Sequence, residues 1–174
     1  NYDNSSHVIF ITGGTKSGKS EFAEHLAKQI KNLTYVALSE NNNGDKGWEK
    51  KIKKHKKRRP KDWKLIETTD LLNTLFKEEG PLLIDSIGGF VMESIEKETK
   101  EWVTEMNSLI GLLKKRKSKT FIVGEQVGWS LVSEYKIGNT YIERIGELQK
   151  RITKISKDNW LAINGRAIKI CLLY

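Results

Sequence analysis

The octapeptide Gly13-Gly14-Thr15-Lys16-Ser17-Gly18-Lys19-Ser20 follows the apolar run Val8-Ile9-Phe10-Ile11 and leads into Phe22, Ala23, Leu26, Ala27 and Ile30 at helical spacing. Few folds accommodate a strand that turns into a helix through such a loop. Gly13 and Gly18 permit backbone conformations closed to other residues, so successive N–H groups converge at the positive N-terminus of the helix. This is the form of a phosphate-binding loop, in which Lys19 reaches the β- and γ-phosphates and the Ser20 hydroxyl ligates Mg²⁺. The first expectation is nucleotide binding.

At 174 residues the chain is long enough for one domain with a sizeable core and too short for a second. Residues 1–6 read as a polar arm and 7–174 as the domain. Cys171 is the only cysteine, which excludes an internal disulfide and a multi-cysteine zinc site and fits a reducing compartment. The expected address is the cytoplasm. No apolar run approaches the roughly 18 residues of a membrane span, and Val8 to Ile11 is too short for a signal-peptide core.

Short apolar runs at Val8 to Thr12, Thr34 to Leu38, Leu82 to Asp85 and Thr120 to Val123 alternate with helical patterns, the mark of βαβ units and a parallel sheet. One helical stripe carries Trp102, Val103, Met106, Leu109, Ile110 and Leu113, another Tyr141, Ile142, Ile145, Leu148, Ile152 and Ile155; both read as core surface. Asn164-Gly165, between Asp158 to Ile163 and Arg166 to Leu172, reads as a two-residue hairpin turn that ends the sheet in an antiparallel edge. The expected class is α/β, a P-loop sheet flanked by helices. In such a sheet, ligands sit at the carboxyl ends of the strands. The candidates there are the phosphate loop, the turn after Leu38, Asp85 and Glu125-Gln126. Asp85 closes Leu82-Leu83-Ile84-Asp85 as a Walker-B acid would, to hold Mg²⁺ or its water; the alternative is a helix N-cap.

The net charge of +9 is local. Lys46 to Lys64 holds eleven Lys and Arg against Glu49 and Asp62, which leaves twenty charges of each sign elsewhere. Asn41 to Gly47 reads as a flexible loop leading into this segment, as a phosphate-side lid would. Read as a helix, Trp48, Ile52 and His55 share one stripe while lysines take the remaining surface. Pro60 ends the element, leaving Arg58, Arg59 and Lys61 in a turn suited to gripping phosphate. A solvated lysine face and a nucleic-acid patch are the alternatives on composition. Against the latter, aromatics arranged for base stacking should face outward.

The loop with Glu21-Phe22-Ala23-Glu24, the run Tyr35-Val36-Ala37, and the block His55, Arg59, Pro60 and Trp63 together resemble the bifunctional adenosylcobinamide kinase/adenosylcobinamide-phosphate guanylyltransferase family. Glu67, Asp85, Val127-Gly128 and Ile168-Lys169-Ile170 continue the likeness over almost the whole chain. The resemblance implies a RecA-like sheet, a trimer, ATP and GTP as substrates, Mg²⁺ as cofactor, and a corrinoid as acceptor rather than a nucleic acid. Enzymes like this phosphorylate the aminopropanol hydroxyl of adenosylcobinamide and then transfer GMP to that phosphate. A histidine carries the GMP covalently, and the matching residue is His55. A neutral imidazole is a good nucleophile near pH 7. Lys56, Lys57, Arg58 and Arg59 would then bind GTP phosphate, with Glu67 and Leu38-Ser39-Glu40 reading guanine or ribose.

The chain also departs from the family's pattern. Glu125-Gln126 stands where the family has Asn-Glu before Val-Gly. Ser86-Ile87-Gly88-Gly89 and Glu93 replace a Cys-Leu-Thr-like stretch and a later Asn; Tyr141-Ile142-Glu143 and Gln149-Lys150 replace Phe-Arg-Asp and Asn-Gln. The loop between Ala37 and His55 is about two residues longer. The nucleotide half of the pattern is better kept than the acceptor half, so a drifted cobinamide site, the loss of one activity and a kinase of another small molecule stay open.

Overall fold

The computed structural model describes residues 6–38, 58–126 and 136–171. Strand β1 (Val8–Gly13) enters the phosphate loop, and helix α1 (Lys19–Ala27) leaves it. There follow β2 (Thr34–Leu38), β3 (Lys64–Thr68), α2 (Leu71–Lys77), β4 (Leu82–Asp85), α3 (Gly88–Glu93), α4 (Thr99–Lys115), β5 (Thr120–Val123), α5 (Lys136–Ile155) and the hairpin β6 (Asp158–Ile163) and β7 (Arg166–Ile170). Among the described residues the strands form one sheet in the order β3-β2-β4-β5-β1-β6-β7. All neighbours are parallel except β6 and β7.

The central strands read as continuous apolar runs because both faces of the sheet are covered. Side chains alternate between the faces. Val8, Phe10, Leu82, Ile84 and Ile122 join one core cluster with residues of α2, α3, α4 and α5, while Ile11, Leu83, Phe121 and Val123 join another with Ala23 and Ala27 of α1. Strand β5 lies between the strand that ends in the phosphate loop and the strand that ends in Asp85, the arrangement expected of a RecA-like sheet.

The hairpin turn is where the spacing places it. Asn164 and Gly165 both adopt positive φ, 50° and 74°, as a two-residue turn between twisted strands requires. One reading needs correction. Val103 is not part of the buried α4 stripe but 37% exposed, because it flanks Trp102 on the helix circumference and faces water. Tyr141 packs against the core as its stripe predicts, half-buried, with its hydroxyl turned to a polar partner described below. Strand β3 has no counterpart in the apolar runs. Its edge position leaves Lys64, Leu65 and Glu67 exposed, so an apolar run was not required.

Candidate active site

Gly18 takes φ 89° at the start of α1, and among the described residues no side chain caps that helix. Its first-turn N–H groups therefore lack the usual side-chain acceptor, which suits them to an anion. A Cβ on Gly13 would run into Ser17 Oγ and approach the Ala162 carbonyl to 2.7 Å, so the loop closes tightly only around glycine. Ser17 Oγ is buried without a hydrogen-bond partner among the described residues. The loop is braced from within, Ser17 N–H donating to Gly14 O at 3.2 Å, and from outside, Gly165 N–H donating to Ser17 O at 2.9 Å. Lys19 Nζ donates to Gly14 O at 3.2 Å. Thr15 and Lys16 are exposed, Lys16 with φ 57°.

Asp85 is half-buried at the end of β4 and does not cap α3, whose N-cap is Ile87. Its carboxylate accepts a hydrogen bond from the hydroxyl of Tyr35 on β2. Burial, then the Asp85 charge, pushes the Tyr35 phenol far above its ordinary range, so this hydroxyl stays a donor. The Arg59 guanidinium lies 3.5 Å from the centroid of the Tyr35 ring. Its Nε is 3.7 Å from Glu24 on α1, and Arg58 Nε is 3.4 Å from the same carboxylate. Arg58 also pairs with Glu21. The turn before Pro60 is thus fastened to the helix that begins at the phosphate loop.

A second polar cluster sits at the end of β5. Ser86 Oγ donates to Glu125 Oε1 at 3.0 Å, and Tyr141 Oη donates to Glu125 Oε2 at 2.7 Å. Gln149 accepts from Glu125 N–H and donates to Glu125 O, both at 2.7 Å. Gln126 ties this end to β1, its N–H donating to Gly13 O and its side chain to Thr12 Oγ1, each at 3.1 Å.

The sheet therefore brings the phosphate loop, Glu125 and Asp85 side by side at one edge. Leu38 lies one strand beyond Asp85, with Gly89 closed against its carbonyl, and Glu67 lies exposed one strand further out. At about 4.8 Å per strand, Glu67 is roughly 19 Å from the line of β1. Ser39, Glu40, His55, Lys56, Lys57 and Val127-Gly128 lie outside the described residues, as do the Asn41 to Gly47 loop and the Trp48, Ile52, His55 stripe. Tyr35, Glu24, Ser86, Tyr141 and Gln149 were not singled out as site residues by the spacing. The available signals were that Glu24 and Tyr35 lie in the runs that carry the family resemblance and that Ser86, Tyr141 and Gln149 lie where the chain departs from it.

Among the described residues no helix is long and apolar enough to cross a membrane. The chain is similar to the bifunctional adenosylcobalamin biosynthesis proteins CobU of Escherichia coli and Salmonella typhimurium. It is 24% and 25% identical to them over 181 residues, 94% of this chain and 99% of each relative. CobP of Pseudomonas aeruginosa, also named a bifunctional adenosylcobalamin biosynthesis protein, is 25% identical over 83% of this chain and 86% of its own. Among solved structures, the P4 protein from bacteriophage phi6 in complex with ADP overlays with a TM-score of 0.44 at 13% identity; 93% of this chain matches 52% of that one. The model of the cobinamide kinase / cobinamide phosphate guanyltransferase family matches residues 9–170, a span that takes in the phosphate loop, Asp85 and the Glu125 cluster, and the chain belongs to that family.

Proposed function

We propose that the chain phosphorylates the hydroxyl of adenosylcobinamide with ATP and then transfers GMP from GTP to the new phosphate, with His55 as the GMP carrier. One observation supports joining the two reactions in one site: Arg58, three residues beyond His55, is paired to Glu21 in the first turn of α1.

Gly13, Gly14, Thr15, Lys16, Ser17 and Gly18 wrap the phosphates with backbone N–H groups, and Lys19 neutralises their charge. Ser20 and Asp85 offer the hard oxygen donors that suit Mg²⁺, and Tyr35 holds the Asp85 carboxylate in place. Mg²⁺, when bound, offsets the negative charge of the phosphates. In the second reaction an imidazole nitrogen of His55 bonds to the α-phosphorus while the bond to pyrophosphate breaks. The acceptor's phosphate oxygen then displaces His55 from that phosphorus. Lys56, Lys57, Arg58 and Arg59 surround this step with positive charge, while Leu38, Ser39, Glu40 and Glu67 contact base or ribose. The same reading makes residues 7–174 one working domain, 1–6 an arm, the assembly a homotrimer and the cytoplasm its location.

Incubation with α-labelled GTP and Mg²⁺ tests the carrier. The expected result is protein-bound label that survives alkali, is lost in acid and is absent from His55→Ala. Equal labelling of His55→Ala sinks the assignment. Turnover of adenosylcobinamide and of its phosphate, with ATP and GTP supplied separately, tests each reaction.

A further inference from the structure

Glu125 is fixed more firmly than its solvent exposure demands. Gln149 locks its main chain through two hydrogen bonds, while Ser86 and Tyr141 each hold one carboxylate oxygen. Glycines clear the space for this. A Cβ at Gly124 would collide with Gln149 Oε1, and one at Gly88 would collide with Tyr141 Oη and come within 3.1 Å of Glu125 Oε1. Ordering a glutamate side chain carries an entropic cost, which a site needing a preset carboxylate repays through geometry. A carboxylate has about four acceptor positions, and the two hydroxyls occupy two of them. The strand order sets Glu125, just past the end of β5, between the phosphate loop at the end of β1 and Asp85 at the end of β4, on the carboxyl edge where ligands of such sheets sit.

We infer that Glu125 is the general base of the phosphoryl-transfer reaction, a role that rests on the kinase reading above. As the acceptor oxygen bonds to the γ-phosphorus, its proton passes to the Glu125 carboxylate. The bond from that phosphorus to the β,γ-bridging oxygen breaks, ADP leaves with the electron pair, and Glu125 returns the proton to water. Ser86 and Tyr141 position the base, and Gln149 positions its backbone. GMP transfer needs no such base, because the acceptor there is an ionised phosphate. Glu125 therefore serves one of the two reactions.

The test compares the two activities in Glu125→Gln. For γ-phosphate transfer from ATP to adenosylcobinamide, kcat should fall more than tenfold, toward about 100- to 1,000-fold, with both KM values within about threefold. GMP transfer from GTP to preformed adenosylcobinamide phosphate should stay within about threefold. A kinase kcat within tenfold of wild type, an effect confined to KM, or equal loss of both activities overturns the inference. Should Glu125→Gln fail to fold, Glu125→Asp carries the same comparison, with at least a tenfold loss expected for the kinase alone. A wild type without γ-phosphate transfer defeats the kinase reading itself and takes this inference with it.

Discussion

Asp85 is held by a phenol rather than by a backbone amide or a lysine, and that choice has a measurable consequence. Tyr35 is 3% exposed, its hydroxyl donates to Asp85, and its ring carries the Arg59 guanidinium. One buried side chain thus connects the basic turn to the acid at the end of β4. Tyr35→Phe keeps the ring and the cation contact and deletes only the hydrogen bond, which is worth roughly 1.5 to 3 kcal/mol when the acceptor is charged. The expected result is nucleotide affinity that falls about five- to tenfold in Mg²⁺ and is unchanged in EDTA, read by calorimetry with ADP. Equal weakening in both buffers would show that Tyr35 shapes the phosphate loop instead. Composition conceals this role, because a tyrosine among aliphatic residues reads as core until its hydroxyl is located. Arg59 reads as a phosphate ligand by charge alone, whereas its described partners are Glu24 and Tyr35, both from elements distant in sequence.

At the level of elements, the hairpin does more than close the sheet. Its turn donates Gly165 N–H to Ser17 O, and the space above Gly18 is limited by Gly165 Cα, 3.4 Å from where a Cβ would stand. Gly165→Ala places a side chain at φ 74°, at a cost of about 1 kcal/mol; the added methyl meets no neighbour, so any effect on the loop comes through relaxation of the turn backbone whose N–H braces it. A fall of several degrees in Tm and a severalfold loss of ADP affinity are expected; a change in Tm alone would separate the turn from the nucleotide site. The turn itself was legible, since Asn-Gly between two apolar runs specifies positive φ twice. Its docking on the phosphate loop was not, because that depends on β6 pairing with β1. Strand β3 was missed for a related reason. Lys64-Leu65-Ile66-Glu67-Thr68 is an edge strand paired on one side, so its pattern carries charge and follows a basic segment that dominates any reading by composition. The central strands, the loop and α1 were legible because burial on both faces and glycine geometry leave little choice of residue.

Across the whole molecule, the two carboxylates at the ends of the adjacent strands β4 and β5 are anchored from opposite faces by phenols, one buried and one half-buried. Tyr35 belongs to the core beneath α1, and Tyr141 packs against the core on the side of α5. Burial, followed by the carboxylate partner, raises both phenols above the ordinary value of 10.0. In the unfolded chain these groups release their protons near pH 10, while the folded protein retains them. The folded state then binds more protons, so stability is unaffected below about pH 10 and declines as the pH rises past it. For Tyr35, fully enclosed, the slope approaches about 1.4 kcal/mol per pH unit; Tyr141 contributes less, because it is partly open to solvent screening. Thermal melts between pH 8 and 11.5 should show a plateau followed by a steepening loss, with the absorbance change of phenolate formation in two of the five tyrosines appearing only with unfolding. In Tyr35→Phe the decline should become shallower. A titration in which all five ionise before the fold is lost would mean that neither phenol is held as described, and that Asp85 and Glu125 are not fixed from both sides of the sheet.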